Sequence, residues 1–161
     1  MKAGFYKKGF WKKMLLLAAI AYFISMNWCQ LMLVRGRSMY PAYRDLQLVV
    51  LVKQFGSLRA GEVVAFRCEG LHALLIKRIV AVPGDWVQIA GGDLYVNGIR
   101  YGGQADGKKV SYAGIAEGPL TLKEGEFFML GDNYGASIDS RHEEVGCVRE
   151  KDIVGRVFPA K

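Results

Sequence analysis

The sequence predicts a mainly β protein in which one N-terminal transmembrane helix precedes an antiparallel, β-barrel-like domain. Three observations carry this expectation. A long uncharged run follows a lysine cluster near the N-terminus. Short apolar, β-branched runs punctuated by Gly, Asp and Pro fill the rest of the chain. Eighteen of the 20 glycines lie in the last 127 of the 161 residues, well above ordinary usage of about 7%, as many tight turns would require.

The chain is 17.9 kDa, 52% hydrophobic and 23% charged, with a mean hydropathy of +0.13. That is too apolar for a disordered protein and too polar for a multi-spanning one. A net charge of +7 suggests nucleic acid until its distribution is read. Residues 1–34 carry Lys2, Lys7, Lys8, Lys12 and Lys13 and no acid, leaving 17 basic and 15 acidic side chains beyond. A nucleic-acid binder needs its basic face on the folded part, so nucleic acid is not an expected partner.

Residues 1–13 therefore form a basic tail. Residues 14–34 (MLLLAAIAYFISMNWCQLMLV) are 21 positions without a formal charge, which as a helix would span roughly 31 Å, about one hydrocarbon core. The lysines before it and only Arg35 and Arg37 after it orient the N-terminus to the cytoplasm and residues 35–161 to the outside. A cleaved signal peptide would need small residues near Trp28-Cys29-Gln30, and these are bulky. A lipoprotein site at Cys29 lacks small residues before it. The expected partner of this segment is the lipid bilayer.

Beyond the span, Leu46–Val52, Glu62–Arg67, Leu74–Val82, Trp86–Ala90, Leu94–Asn97, Glu126–Leu130 and Ile153–Phe158 read as strands. Gly91-Gly92-Asp93 reads as a short hairpin turn, and residues 102–118 as a polar, Gly-rich surface loop. Cys68 and Cys147 could pair or remain free thiols; sequence leaves both open.

Three stretches carry chemistry. In Gly36-Arg37-Ser38-Met39-Tyr40-Pro41, a serine sits just beyond the span, with a proline stiffening the following turn. Lys77 lies within Leu74–Val82. Strand side chains alternate faces, so it shares a face with Leu75, Ile79 and Ala81, while the opposite face is also largely apolar. A lysine buried on such a strand loses charge as desolvation lowers its pKa, and it can then accept a proton from a serine. The third stretch, Gly131-Asp132-Asn133-Tyr134-Gly135-Ala136-Ser137-Ile138-Asp139-Ser140-Arg141, concentrates hydroxyls, acids and an arginine after an apolar strand. Its acids are too few and wrongly spaced for an EF-hand.

Together these boxes resemble, in order and spacing, the type I signal peptidases, the membrane-bound Ser-Lys proteases, over roughly residues 14–158. The matching pieces are the span, Ser38-Met39-Tyr40-Pro41, the Lys77–Asp85 box and the Gly131–Arg141 box. The resemblance implies a membrane serine endopeptidase that removes signal peptides from exported preproteins, cleaving after small side chains of the Ala-x-Ala type. It makes Ser38 the nucleophile and Lys77 the general base, with Ser137 orienting the lysine. Asp132, Asp139, Arg78 and Arg141 would hold the loop against the catalytic strand, and Val34, Met39, Leu75 and Ile76 would line the substrate pockets. Where some members carry a serine as oxyanion donor this chain has Gly36, so the backbone N–H of Ser38, helped by that of Gly36, would hold the oxyanion. No metal or cofactor is implied.

Alternatives remain at this level. A Ser-His-Asp hydrolase would use His72 or His142 with Asp139. A self-cleaving Ser-Lys regulator would need a partner domain. A pilin- or transfer-system maturation peptidase, or a tethered β-domain without activity, would share most of these features.

Overall fold

The computed structural model describes residues 5–53, 56–102 and 109–160. They form two compact units, residues 1–30 and 31–161.

The first unit is one helix, α1 (Phe5–Trp28). It departs from the expected helix over residues 14–34. Cys29–Leu33 forms strand β1, so the uncharged part of the helix is residues 14–28, about 22 Å at 1.5 Å per residue. Among the described residues no helix is long and apolar enough to cross a membrane. The reason is a competition for five residues. Helix extension offers Cys29–Leu33 one hydrogen bond per residue, and so does the open edge of a sheet, which here captures them. Helix side chains that are described, including Trp11, Leu15, Leu16, Leu17, Ile20 and Phe23, are exposed.

The second unit is built from two sheets. The strands are β2 (Leu48–Lys53), β3 (Val63–Cys68), β4 (Ala73–Ala81), β5 (Trp86–Ala90), β6 (Asp93–Val96), β7 (Ile99–Arg100), β8 (Leu120–Thr121), β9 (Glu126–Leu130), β10 (Val148–Arg149) and β11 (Ile153–Pro159). The large sheet runs β1-β2-β11-β3-β4-β9-β10 and the small one β7-β6-β5-β8. All registered pairs are antiparallel. Edge strands β1 and β10 do not pair with each other, so the expected barrel is instead two open sheets. The β5–β6 turn is the expected glycine hairpin. Gly91 and Gly92 have φ of +58° and +79°, the left-handed pair that a tight two-residue turn requires.

Three apolar clusters fill the unit. One lies between the sheets and includes Val87, Ile89, Leu94, Phe128 and Leu130. A second gathers Val64, Phe66, Ile79 and Met129. The third, with Val34, Met39, Tyr43, Val49, Leu51 and Val157, anchors the turn that carries Ser38. Within the segment 102–118, residues 103–108 lie outside the described residues. The rest is not wholly superficial: Val110 and Ala116 are buried in the first cluster, and Ile115 N–H donates to Arg141 O at 3.0 Å. All three cysteines are free. Cys68 Sγ donates to Glu144 O at 3.4 Å and joins the second cluster, whereas Cys147 packs against the first.

Candidate active site

Ser38 sits on the connection between β1 and β2, in a turn the sequence punctuates heavily. Gly36 has φ +84°, a conformation that glycine adopts without strain. Tyr40 N–H donates to Arg37 O at 3.2 Å and Tyr43 N–H to Met39 O at 2.8 Å. Met39 is buried and Tyr43 Oη donates to Val157 O at 3.0 Å, which ties the turn to the central strand β11.

Lys77 comes from the middle of β4, opposite Val64 of β3. Its side chain is 3% exposed, and its Nζ lies 3.0 Å from Ser38 Oγ. Desolvation by burial pushes the Lys77 ammonium below its ordinary value of 10.5; Asp139 pulls it back up and Arg141 pushes it further down. A lysine relieved of its charge presents a lone pair, so the same contact that now reads as a donor can run from hydroxyl to amine.

The loop after β9 closes over this pair. Asp139 is 0% and Arg141 1% exposed, and they form a forked ion pair, Nε–Oδ1 2.7 Å and Nη2–Oδ2 2.9 Å. Arg141 also donates to Tyr134 O and Ser137 O, and Gly131 N–H donates to Asp139 Oδ2 at 3.1 Å. A second fork joins Arg78 to Asp132 at 2.7 Å through both oxygens, while Arg78 Nη1 reaches Gly61 O at 2.6 Å. The Arg78–Asp132 fork thus ties the start of the loop to β4, and the Asp139–Arg141 fork braces the loop internally.

Gly131 marks the closest approach. A Cβ there would strike Ser137 Oγ and lie 2.5 Å from Ser38 O. Ser137 Oγ is buried with no hydrogen-bond partner, so the bond to Lys77 that the resemblance implies is not made. Val34 and Met39 are core residues of the third cluster, Ile76 packs on that cluster and Leu75 on the second.

Gly36 N–H does not face a vacant oxyanion position, contrary to expectation. It donates to Asp45 Oδ1 at 2.8 Å, because the carboxylate seven residues after Ser38 folds back onto the turn. Asn133 also emerges as part of the site. Its backbone N–H donates to Ser38 O at 2.9 Å and its Nδ2 to Arg37 O at 3.1 Å. Asn133 stands within the third sequence box, but nothing in its spacing signals a contact 96 residues away. A cleft of about 530 Å³ lined by Arg37, Tyr40, Arg44, Asp45 and Asn133 opens beside this turn.

The histidines lie elsewhere in the geometry. His72, exposed, forms the β3–β4 turn with φ +48°. His142 stacks on Tyr112 with ring centroids 4.8 Å apart, and its Nδ1 accepts Asp139 N–H at 3.3 Å. The side-chain partner of Ser38 Oγ is an amine. Among the described residues no group of His, Cys, Asp and Glu is arranged to hold a metal.

Residues 7–160 match the family described as signal peptidase, peptidase S26. Signal peptidase I P of Bacillus subtilis subsp. natto is 30% identical over 156 residues, covering 90% of this chain and 84% of that protein. Signal peptidase I T of Bacillus subtilis strain 168 is 33% identical over 134 residues, covering 76% and 68% respectively. Among solved structures, a signal peptidase I from Enterococcus faecalis V583 superposes with a TM-score of 0.52 at 23% identity, covering 64% of this chain and 98% of that one; at that identity the likeness is one of fold.

Proposed function

Because the chain belongs to the signal peptidase family, peptidase S26, we propose that its serine protease chemistry is run by Ser38 and Lys77. The protein is a signal peptidase that removes signal peptides from preproteins. The observation that carries the residue assignment is the 3.0 Å contact between Ser38 Oγ and the Nζ of a lysine that is 3% exposed.

In this reading neutral Lys77 takes the Ser38 proton as Oγ attacks the scissile carbonyl, and the Ser38 N–H faces the developing oxyanion. Lys77 then gives that proton to the leaving nitrogen, so collapse expels the mature chain as a neutral amine, leaves the signal peptide as an acyl-enzyme and returns the lysine to its free-base form. Lys77 then activates water for deacylation, the Ser-Lys variant of triad logic. Ser137 orients the lysine during the reaction through a hydrogen bond that the free protein does not make, while Asp139–Arg141 and Arg78–Asp132 hold the loop. Leu75 and Ile76, on opposite faces of β4, contribute apolar surface for small side chains; Val34 and Met39 belong to the cluster on which Ile76 packs.

The bilayer is the proposed setting. The uncharged run 14–34, the preceding lysines and the exposed apolar side chains of α1 support a membrane-associated N-terminus facing the cytoplasm, with the β unit outside. The short uncharged helix fits a bilayer only by thinning it or by drawing Lys12 and Lys13 along their stems to the interface.

The test compares wild type, Ser38→Ala and Lys77→Ala on a preprotein with an Ala-x-Ala site in membranes. Both variants are expected to lose turnover by more than about 1000-fold, as dismantled nucleophile–base pairs do. Full activity in either overturns the assignment. Extraction of the protein from membranes by alkaline carbonate would overturn the integral anchor.

A further inference from the structure

We propose that the side chain of Asn133 is a positioning residue for the oxyanion donor, aiming the Ser38 N–H by holding the other end of its peptide unit, with Asp45 fixing the peptide two steps before. The inference rests on Ser38 being the nucleophile.

The argument begins with peptide geometry. The Arg37–Ser38 bond is trans, since only Tyr40–Pro41 is cis among the described residues. In a trans planar unit the C=O and N–H point in opposite directions. Whatever holds Arg37 O therefore determines where Ser38 N–H points. Arg37 O accepts from Asn133 Nδ2 at 3.1 Å and from Tyr40 N–H at 3.2 Å, one donor for each lone pair. Tyr40 lies within the same turn and moves with it. Asn133 is the donor that ties this peptide to another part of the fold.

That outside part is rigid. Asn133 follows Asp132, whose carboxylate is forked by Arg78 of the Lys77 strand. Its own backbone N–H takes Ser38 O at 2.9 Å, so one residue grips the two carbonyls flanking the Ser38 amide bond and α-carbon. Through β4 the direction of the Ser38 N–H is thereby referenced to the same strand that supplies Lys77.

Asp45 completes the arrangement. Gly36 has no side chain to resist rotation and sits at φ +84°, so its peptide needs an external restraint. Asp45 Oδ1 supplies it by accepting Gly36 N–H at 2.8 Å. That bond also removes the Gly36 N–H from competition for the oxyanion and leaves a single backbone donor, that of Ser38. Among the described residues no protein acceptor takes the Ser38 N–H. Position 36 therefore does not have to furnish a hydroxyl donor for the turn to be ordered; the order comes from residues 45 and 133.

The experiment measures kcat, KM and the pH profile of Asn133→Ala, Asn133→Asp, Asp45→Ala and Asp45→Asn in the full-length protein, with Ser38→Ala as control. Misaiming one donor should lower kcat of Asn133→Ala by about 10-fold to 100-fold, with KM and the pH midpoint of the Lys77 limb unchanged. Asn133→Asp keeps the shape but turns an acceptor toward Arg37 O, and it should be worse than the truncation. Asp45→Asn retains an acceptor and should stay near wild type, whereas Asp45→Ala should lose kcat. Affinity for a peptide aldehyde, which forms an oxyanion on attack, should fall in parallel with kcat/KM.

A space-filling role for Asn133 would make the aspartate the milder change, and that ordering overturns the proposal. So would undiminished kcat in both Asn133 variants while Ser38→Ala is inactive. Retained activity in Ser38→Ala would instead remove the catalytic assignment itself, a distinguishable failure.

Discussion

Asp139 and Arg141, two residues apart, meet in a forked ion pair almost wholly withdrawn from solvent, and Gly131 N–H completes the carboxylate's coordination. A buried pair of this kind contributes little relative to apolar packing, yet breaking it strands a charge at a cost of about 3–5 kcal/mol. Arg141→Ala is expected to destabilise by about that amount and to disorder the loop over Ser38. Urea denaturation checks the first effect and kcat the second; an unchanged midpoint in urea would contradict both.

Asp139→Asn probes the electrostatics of the same pair. Asp139 raises the Lys77 pKa and Arg141 lowers it. Removing the carboxylate's charge and leaving the guanidinium should move the lysine further down, so the rising limb of kcat/KM against pH shifts toward acid. Arg141→Gln in a protein that still folds should shift it toward alkali. Opposite signs in the two profiles are the readout.

Wild-type activity should climb with pH through a midpoint below 10.5, because the free amine is the working form. The stability sign follows from the same depression. The native state releases the Lys77 proton at a lower pH than the unfolded chain, so between the native pKa and 10.5 the unfolded state holds more protons and stability rises with pH. Below that window burying the ammonium is a constant cost. Lys77→Met should therefore be more stable than wild type at neutral pH, with the difference shrinking as pH rises through the window. Paired denaturation curves across pH would show a constant difference if the lysine were not depressed.

Gly131→Ala adds one methyl at a position already occupied by Ser137 Oγ and bordered by Ser38 O. Overpacking of this kind costs about 1–3 kcal/mol, and here the displaced atom belongs to the nucleophile's own backbone. Turnover should fall more steeply than thermal stability. Equal losses, or none, would show that the loop has room to retreat.

Ser137→Ala separates function from stability in the other direction. The hydroxyl is buried and unpartnered in the free protein, and deleting such a group relieves a desolvation penalty of about 1–3 kcal/mol. The variant should melt at or above the wild-type temperature while kcat declines. A parallel loss of both would contradict the role proposed for this hydroxyl.

The strands and the site were legible to different depths. Trp86–Ala90 and Glu126–Leu130 have the bounds their patterns predict, because each is a β-branched or aromatic run between turn residues. Strands β7, β8 and β10 are two residues long, too short for alternation to register. Strand β1 was hidden because Cys-Gln-Leu-Met-Leu continues an apolar run, and only the sheet edge decides its conformation. Ser38 and Lys77 stood out through local pattern, and the structure brings their functional atoms into contact. Asp45 and Asn133 did not, since their side chains bond backbone groups of the Ser38 turn, and neither the sequence spacing nor the residue type marks which backbone group a carboxylate or an amide will reach. The closed barrel failed for a similar reason: whether edge strands meet depends on twist and length, not on residue type.

The order of strands carries a consequence for biosynthesis. Strand β11, the latest of the eleven to leave the ribosome, does not sit at an edge but between β2 and β3. Ser38 belongs to the side of the sheet that precedes it and Lys77 to the side beyond. A nascent chain lacking residues 153–159 has both reactive groups but not the strand that joins β2 to β3, so the large sheet that carries them is continuous only once those residues are made.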